Sequence, residues 1–278
     1  MFTLNCKGKL LTLHRPLIMG IINLTPDSFY SGSRLMLNDE ILRRAEQMLQ
    51  EGADILDLGG QSSRPGSIAV GEEIELERLL EPISMIKKEF PDTILSVDTY
   101  RSRVAAEAVE AGASIVNDIS GGNLDLRMLE AVAGLGVPYI CMHMKGDPET
   151  MQKEPQYDNL MEELLRFFAD KLKQCRLAGI NDIIIDPGFG FGKTRRHNFE
   201  ILEKLSLFRI FERPVMLGIS RKSTIYKTLS ITAEEALNGT TVLNTIGLIN
   251  GADILRVHDV EPALEVVKLV GAYRDQAV

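Results

Sequence analysis

The chain has 278 residues, of which 45% are hydrophobic, and its formal net charge at pH 7 is −8. This length allows a large buried core, either in one α/β domain or in two smaller ones. The negative charge excludes the general electrostatic attraction on which nucleic-acid and anionic-membrane binding depend, although a local basic cluster could still hold an anionic substrate.

Three widely spaced cysteines, Cys6, Cys141 and Cys175, form no CxxC motif. An odd number without that spacing predicts neither a disulfide framework nor a cysteine zinc site, and it favours a cytoplasmic location. The first residues lack a charged start followed by a long apolar core, so no signal peptide is predicted. No apolar run approaches the roughly 20 residues of a membrane span.

Short apolar runs alternate with longer amphipathic segments along the chain. Residues 2–13 are expected to form a short β-hairpin that closes the bottom of the fold. Strands are then predicted at 17–22, 55–58, 94–97, 115–116, 137–142, 183–185, 215–217 and 254–257. Helices are predicted at 38–52, 72–90, 101–112, 124–134, 159–179, 198–211, 233–250 and 261–273. Asn38 is expected to cap the first helix.

Strand and helix alternating eight times in a chain somewhat above ~250 residues predict a (β/α)8 TIM barrel, with a doubly wound open sheet as the competing fold. A Gly-Ala-(Asp/Ser)-Ile sequence starts at Gly52, Gly112 and Gly251 and marks three similar helix-to-strand joints. No linker or break in composition divides the chain. Residues 1–278 are therefore expected to form a single domain.

Polar side chains follow nearly every predicted strand. In TIM barrels the active site is built just past the carboxyl ends of the strands. The residues at those positions are Asn23, Asp57, Asp98, Asn117, Asp118, His143, Asp186, Ser220, Arg221, Lys222, Arg256 and His258. The sequence therefore predicts that carboxylates, amides and cations share one site at this end of the barrel.

The segment 183–193 places Asp186 after a buried strand and before a loop of glycine and phenylalanine. It fits neither the phosphate-cradling motif nor the dinucleotide-binding motif, because Pro187 and Lys193 stand where each motif needs a glycine. A carboxylate beside aromatic rings suits a flat nitrogen heterocycle that carries N–H donors. Alternatively, Asp186 only caps the next turn.

The strand-end residues form two chemical sets. The first offers hydrogen-bond acceptors and donors to the edge of a heterocycle, and it consists of Asp98, Asn117, Asp186 and Lys222. The second suits an anion, and it consists of Asn23, Arg64, Arg256 and His258. The sequence thus predicts a substrate with a heterocyclic part and an anionic part.

Arg256 and His258 are two residues apart on one strand, so their side chains point to the same side and can grip one diphosphate. Asn23 could help to hold Mg²⁺ on that diphosphate, since Mg²⁺ takes oxygen ligands and usually keeps several waters. Residues 220–223 lie where a helix should begin, and its free N–H groups can receive a second anion such as a carboxylate.

Some of these residues also have simpler structural interpretations. Arg256 could instead pair with Asp253 or Asp259 on the surface. Asp57 and Asp118 are expected to support or cap neighbouring groups rather than to bind a ligand. The polar residues recur at almost every strand end, however, and this favours a shared function over a series of unrelated caps.

As a set, the strand-end motifs resemble those of the dihydropteroate synthase family. The matching blocks are 23–29, 57–66, 96–99, 117–122, 186–193, 218–223 and 256–260, and they follow the family's order between about residues 16 and 267. The resemblance implies a transferase of folate biosynthesis that condenses 6-hydroxymethyl-7,8-dihydropterin diphosphate with 4-aminobenzoate and releases diphosphate and 7,8-dihydropteroate. It also implies bound Mg²⁺ and a sulfonamide target.

The resemblance further implies a role for individual residues. Those expected to act in catalysis are Asp186, Lys222, Arg256 and His258. The pterin would be bound by Asp98, Asn117, Asp186 and Lys222, and the diphosphate by Asn23, Arg64, Arg256 and His258, with Asn23 on the metal. The 4-aminobenzoate would meet Phe29, Ser63, Pro65, Phe191, Ser220 and Arg221. Ser63 stands where many members have threonine, so a methyl group is lost from that loop.

Two other functions are open at this point. A methyltetrahydrofolate-dependent methyltransferase of the same pterin-binding barrels would share the carboxylate and amide pocket but handle no diphosphate, and Arg256 with His258 favours the synthase. A non-catalytic pterin-binding protein would lack some of the polar strand ends. The partners expected are the two small-molecule substrates and a second copy of the chain, with Ile246, Leu248 and Val267 in the dimer face.

Overall fold

The computed structural model describes residues 1–25, 34–61, 70–146, 151 and 155–275. Its strands are β1 (Thr3–Cys6), β2 (Lys9–Thr12), β3 (Leu17–Asn23), β4 (Ile55–Gly59), β5 (Ile94–Asp98), β6 (Ile115–Asp118), β7 (Tyr139–Met142), β8 (Ile183–Asp186), β9 (Met216–Leu217) and β10 (Ile254–Val257). Its helices are α1 (Arg34–Gln50), α2 (Glu72–Glu89), α3 (Ser102–Ala111), α4 (Met128–Leu135), α5 (Leu160–Ala178), α6 (Arg195–Glu203), α7 (Ser223–Leu229), α8 (Leu237–Ile249) and α9 (Val260–Asp275).

Strands β3 to β10 form one eight-stranded parallel sheet in the order β8-β7-β6-β5-β4-β3-β10-β9. A bridge between Ile185 and Val215 brings the two edges together, and the Ile185 N–H donates to the Pro214 carbonyl at 2.9 Å. Each strand lies beside its neighbour in the chain, as a barrel requires and a doubly wound sheet does not. The predicted barrel is confirmed, whereas the single domain over residues 1–278 stays a prediction.

The predicted N-terminal hairpin is present, with β1 antiparallel to β2 and Thr3 opposite Thr12. Its buried side chains Leu4 and Cys6 belong to the same apolar cluster as the residues near the amino ends of the barrel strands. Those residues are Leu17, Met19, Ile55, Ile94, Ile115, Ile140, Ile184, Met216 and Ile254. The hairpin therefore covers the amino end of the barrel and leaves the carboxyl end for the polar residues.

The helix boundaries differ from the predicted ones at several places, and α4 and α8 each begin four residues later than predicted. Helix α1 begins at Arg34, so Asn38 is not its cap and instead donates to Glu81 at 3.0 Å. The predicted helix 198–211 is divided into α6, which Thr194 caps, and a 3-10 helix, Leu205–Phe211. Helix α7 was predicted only as a helix start near residues 220–223. Local signals marked the helices well but their first turns poorly.

Behind β6, Asp118 receives several hydrogen bonds and thereby fixes the turn that follows the strand. Its carboxylate accepts from the N–H groups of Ser120 and Gly122 at 2.7 Å each, and from the buried hydroxyl of Tyr139 at 2.7 Å. The predicted supporting role of Asp118 therefore agrees with its contacts. The adjacent Asn117 is held in register by this turn.

We expect Tyr139→Phe to lower the free energy of unfolding by about 1.5–3 kcal/mol, the usual contribution of a hydrogen bond to a charged group. Urea unfolding of wild type and variant measures the difference. Tyr273→Phe is the matched control, because Tyr273 is 67% exposed and should change stability by less than about 0.5 kcal/mol. Equal effects of both substitutions would contradict the role given to the Asp118 network.

Candidate functional site

The carboxyl end of the barrel collects the polar residues that the sequence predicted there. Strand pairing places Gly59 beside both Asn23 and Asp98, and Asp98 beside Asn117. Since alternate residues of a strand face the same side, these side chains share the interior face with Asp57 and Ser96 one step below. Four neighbouring strands, β3 to β6, thus contribute carboxylates and amides to one surface.

Arg256 of β10 lies at the centre of this surface. Its Nε donates to Asp57 Oδ2 at 2.6 Å, and its Nη2 donates to Asp98 Oδ2 at 2.7 Å. Asn117 Nδ2 donates to the same Asp57 oxygen at 3.1 Å. These buried carboxylates raise the pKa of Arg256, which stays charged. The alternative surface pairing of Arg256 was wrong, and its partners come from β4 and β5 across the barrel.

The Asp57 carboxylate is fully buried, and its second oxygen, Oδ1, has no hydrogen-bond partner within the described residues. Asp57 therefore supports Arg256 and Asn117 from below, in line with its predicted supporting role. Asp98 is more open toward the site. Burial raises the pKa of Asp98 to about 7, although the Arg256 guanidinium acts in the opposite direction.

Asp186 and Lys222 meet on the opposite wall, where β8 and β9 end. A Cβ atom on Gly218 would lie 3.9 Å from Asp186 Oδ2 and 3.8 Å from Lys222 Nζ, so the two charged groups share the space above this glycine. Burial raises the pKa of Asp186 and lowers the pKa of Lys222 to about 8, and the attraction between the two groups opposes both shifts. The site thus holds a second pair of opposite charges.

The loop after β8 supplies partners to both members of this pair. The Gly188 N–H donates to Asp186 Oδ1 at 2.8 Å, and Lys222 Nζ donates to the Phe189 carbonyl at 2.6 Å. Lys222 Nζ also lies 4.7 Å from the centroid of the Phe191 ring. Asp186 therefore does bind the following turn, as the simpler interpretation expected, but its other oxygen faces the site.

Ser220 and His258 contact one another at the ends of β9 and β10, with 3.0 Å between Ser220 Oγ and His258 Nδ1. Arg221, which has a φ of 54°, extends in another direction and makes two hydrogen bonds to Asp259, at 2.8 and 2.9 Å. Arg221 Nη1 also donates to the Ala233 carbonyl at 3.0 Å. The three strand-end residues 220–222 thus have three separate partners.

The other predicted site residues are Asn23, Phe29, Ser63, Arg64 and Pro65. Asn23 is half-buried at the end of β3, and its Oδ1 would lie 3.9 Å from a Cβ on Gly59. Phe29, Ser63, Arg64 and Pro65 lie outside the described residues, and their roles stay predictions.

One buried residue was missing from the predicted site, whereas Asp57 was predicted in its supporting role. Asp57 shares the interior face with Gly59 by simple alternation, and this period of two was an available signal. Lys193 ends the glycine loop and is buried, and no local pattern predicts that burial.

The described residues include no group of three or more His, Cys, Asp or Glu side chains that could hold a metal ion. The amide oxygen of Asn23 at the rim of the site is a suitable single ligand for Mg²⁺, which commonly binds through substrate phosphates and one or two protein groups. This donor set fits an ion that arrives with a diphosphate rather than a resident metal.

None of the described helices is long and apolar enough to cross a membrane.

A family model described as "Pterin binding enzyme" matches residues 19–258, which span the barrel and its polar end. The barrel, its charged carboxyl end and this match define the chain as a pterin-binding enzyme. The chain is also 40% identical over 268 residues to the dihydropteroate synthase of Escherichia coli (strain K12), a match that covers 96% of this chain and 94% of that protein. The chain therefore belongs to the dihydropteroate synthase family.

Solved structures agree with this assignment. The Yersinia pestis dihydropteroate synthase in a sulfonamide drug complex has a TM-score of 0.92 and 40% identity, with 99% of this chain and 100% of that chain covered. The Xanthomonas albilineans dihydropteroate synthase in complex with 7,8-dihydropteroate has a TM-score of 0.88 and 35% identity, with both chains covered in full (100%). The resemblance predicted from the strand-end motifs is thus confirmed.

Proposed function

We propose that this enzyme condenses 6-hydroxymethyl-7,8-dihydropterin diphosphate with 4-aminobenzoate and releases diphosphate and 7,8-dihydropteroate. The observation that carries the proposal is that the Arg256–Asp98 ion pair and the neighbouring opposite charges of Lys222 and Asp186 lie at one end of the barrel. The relatives' names and the 7,8-dihydropteroate in one related structure support it. Sulfonamides are expected to compete with 4-aminobenzoate, since a related synthase binds such a drug.

The pterin would lie between the two charge pairs. Asp98, Asn117 and Asp186 provide oxygen atoms for its N–H and amino groups, and Lys222 provides a donor for its ring oxygen. Asp186 retains a free direction for this purpose, because the Gly188 N–H contacts only Oδ1. These four residues come from β5, β6, β8 and the end of β9, so they can surround a flat ring.

The diphosphate would be bound by Arg256 and His258, together with Asn23 and Arg64. Two of the five N–H donors of Arg256 are used by Asp57 and Asp98, and the others can meet an anion. Asn23 would hold Mg²⁺ on the diphosphate, and the bound ion would offset the charge of the leaving group. The 4-aminobenzoate would contact Phe191 and Ser220, with Phe29, Ser63 and Pro65 at its outer side. Arg221, which was also predicted there, would have to leave its pair with Asp259 to reach this substrate.

The reaction is proposed to be a dissociative displacement. Breaking the C–O bond leaves negative charge on the diphosphate, which Arg256 and His258 stabilise. The methylene carbon gains positive charge that spreads into the pterin ring, and ionised Asp186 beside the ring favours that charge. The arylamine nitrogen then bonds to the methylene carbon and loses a proton, so no covalent enzyme intermediate forms.

This mechanism predicts positional isotope exchange within the pterin diphosphate when the enzyme is incubated with it in the absence of 4-aminobenzoate. Labelled bridging oxygen should move to non-bridging positions of the recovered substrate, because the C–O bond breaks before the amine attacks. Mass spectrometry or phosphorus NMR of the recovered substrate measures the exchange. If the label of the recovered substrate is still in its original position, although the same enzyme preparation is active with both substrates, the attack is concerted.

The proposed reaction is tested by mixing purified chain with both substrates and Mg²⁺ and following diphosphate release and 7,8-dihydropteroate formation. Dihydropteroate should not form when either substrate is omitted. Methyl transfer from methyltetrahydrofolate, without diphosphate release, would identify the methyltransferase alternative. Binding of the pterin without any turnover would identify the non-catalytic alternative.

Pterin binding is expected to weaken as the pH falls below about 7. Burial raises the pKa of Asp98 to about 7, so this carboxylate is ionised above that pH and takes up a proton below it. A protonated Asp98 loses acceptor capacity for the pterin N–H. Calorimetric titration with 6-hydroxymethyl-7,8-dihydropterin, which carries no diphosphate, should show the decline between pH 8 and 6. Asp98→Asn should bind weakly with little pH dependence, and an unchanged wild-type affinity across this range would refute the assignment.

A homodimer is also proposed, although its predicted face needs correction. Leu248 and Val267 are buried within the protomer, whereas Ile246 is exposed. Val242, Ile246 and Ile249 of α8 are exposed and share one helix face by their spacing of four and three residues, so they form a more suitable face for a second copy. Sedimentation of wild type and Ile246→Glu would test this. The cytoplasmic location stays a prediction.

A further inference from the structure

Lys193 ends the glycine loop after β8, and its side chain is directed inward rather than to solvent. Only 2% of the residue is exposed. A lysine is almost never buried to this degree unless its ammonium group is paired. Here the ammonium has three acceptors, His143 Nδ1 at 2.9 Å, the His143 carbonyl at 3.1 Å and the Phe191 carbonyl at 3.0 Å.

These acceptors belong to two different connections at the mouth of the barrel. His143 follows β7, whereas Phe191 belongs to the loop after β8. Burial lowers the pKa of His143 to about 2, so its ring is neutral and its Nδ1 can accept from Lys193 Nζ. Burial also lowers the pKa of Lys193 to about 7, against the attraction of Asp186, and the N–H groups of this nitrogen can donate in either protonation state. Lys193 therefore ties the loop after β8 to the end of the neighbouring strand.

The backbone of this loop packs closely against the chain that follows β7. A Cβ atom at Gly188 would lie 2.0 Å from the His143 carbonyl oxygen, and one at Gly192 would lie 2.3 Å from the Lys145 carbonyl oxygen. The half-buried Tyr157 adds a second tie, since its hydroxyl donates to the Gly192 carbonyl at 2.8 Å. Glycines permit the close approach, and the hydrogen bonds of Lys193 and Tyr157 hold the loop in that position.

The same loop presents two groups to the active site. The Phe189 carbonyl accepts from Lys222 Nζ at 2.6 Å, and the Phe191 ring lies 4.7 Å from that nitrogen. Lys193 Nζ donates to the Phe191 carbonyl, so Phe191 contacts Lys193 through its backbone and Lys222 through its ring. A shift of the loop would move the Phe191 ring directly. It would reach Asp186 and Lys222 only through one hydrogen bond each, from the Gly188 N–H and to the Phe189 carbonyl, and it would leave Asp98 and Asn117 on β5 and β6 in place.

We propose that Lys193 is a positioning residue for 4-aminobenzoate: the hydrogen bonds of its buried Nζ hold the loop 188–192 against His143 and thereby place the Phe191 ring in the arylamine subsite. The inference rests on the proposed function, because it assigns Phe191 to the second substrate. Lys193 itself touches neither substrate. Its loss should therefore affect the arylamine more than the pterin.

The test compares Lys193→Met with wild type. The KM for 4-aminobenzoate should rise about tenfold, whereas the Kd for 6-hydroxymethyl-7,8-dihydropterin should change less than about threefold. Hydrogen exchange of the Gly188, Gly190 and Phe191 amides, measured by mass spectrometry, should become at least about tenfold faster because the loop opens more often. Lys171→Met is the matched control.

Lys171 is also buried, and its substitution also removes hydrogen bonds, to Asn123 Oδ1 at 2.7 Å and to Gln174 Oε1 at 3.3 Å, but it lies on α5 outside the loop. Its KM values should match those of wild type. If Lys193→Met does not fold, Tyr157→Phe serves as the second variant. This milder change removes the hydroxyl from Gly192 and should raise the KM for 4-aminobenzoate about two- to threefold with faster loop exchange.

The outcomes separate this inference from the proposed function. Wild-type enzyme that forms no dihydropteroate would refute the proposed function. Active wild type together with a folded Lys193→Met or Tyr157→Phe variant that keeps its KM for 4-aminobenzoate would overturn the positioning role. Equal losses of pterin and arylamine affinity would also overturn it, since a general disturbance of the site would then explain the data.

Discussion

Asp186→Asn is expected to lower kcat/KM for the pterin diphosphate by roughly 10- to 100-fold, because a hydrogen bond to a charged group contributes about 1.5–3 kcal/mol and each 1.4 kcal/mol is tenfold in rate. The amide keeps one acceptor oxygen but loses the charge that favours a cationic pterin. Lys222 also loses its opposite charge across Gly218. Steady-state kinetics at saturating 4-aminobenzoate measure the effect.

The folded state of Asp186→Asn should be little changed. An amide oxygen can still accept from the Gly188 N–H, which holds the loop. Burial raises the pKa of Asp186, so its ionisation opposes folding at neutral pH, and a neutral residue removes that cost. We therefore expect the free energy of unfolding to fall by less than about 1 kcal/mol.

Asp182→Asn is the matched control for this variant. Asp182 precedes β8 at the other end of the barrel, where its carboxylate accepts from the Asn5 N–H at 2.8 Å. The same substitution near the same strand should leave kcat/KM unchanged. Wild-type kinetics in Asp186→Asn, or a comparable loss in Asp182→Asn, would remove the argument for Asp186 as a catalytic residue.

Arg256→Met should reduce both activity and stability. Removing this guanidinium leaves Asp57 and Asp98 as buried carboxylates without their cation, a change that typically costs about 3–5 kcal/mol. It also removes the donor proposed for the leaving diphosphate, and loss of one such donor typically lowers kcat about 100- to 1,000-fold. Urea unfolding and steady-state kinetics measure the two effects.

The stability loss of Arg256→Met should depend on pH. The pKa of Asp98 is raised above its unfolded value, so ionisation of this group makes folding less favourable as the pH rises. The charge of Arg256 limits how far the pKa of Asp98 is raised. Without the guanidinium, the pKa of Asp98 rises further and the carboxyl group stays protonated over a wider range. The difference from wild type should thus be largest near pH 8 and smaller near pH 6.

Two comparison variants separate the structural effect from the catalytic one. Adding Asp57→Asn to Arg256→Met should restore part of the stability but none of the activity, since one unpaired charge is removed while the donor is still missing. Arg15→Met breaks a bidentate pair with Asp54 on the surface, at 2.9 and 3.0 Å, and should cost about 1 kcal/mol or less. An Arg256→Met enzyme with normal kinetics would contradict the proposed role.

The sequence predicted the architecture because the barrel depends on a local, repeated pattern. Each strand is a short run of residues that is apolar on both faces, as a sheet covered by helices requires. All eight predicted strands are present. Helix α5 spans Leu160–Ala178, within one residue of the predicted range 159–179 at each end. Starts such as that of α1 were misplaced, since the first turn of a helix responds to packing as much as to its own sequence.

The residues at the site were predictable to the extent that chain position decides which end of the barrel they occupy. Asp98, Asn117, Asp186, Lys222 and Arg256 all follow predicted strands and meet at the carboxyl end. Their pairing was not predictable. Arg256 has acidic neighbours in sequence at Asp253 and Asp259, yet it pairs with carboxylates 199 and 158 residues away.

By itself, the sequence determined the succession of strands and helices, the end of the barrel that carries the chemistry, and the types of side chain available there, because alternation and periodicity are properties of neighbouring residues. Only the tertiary structure decided that Arg256 joins Asp57 to Asp98, that Arg221 turns to Asp259, and that Lys193 is buried against His143. Those contacts depend on closure of the sheet, which brings distant strand ends within hydrogen-bonding distance and removes water from between their charges.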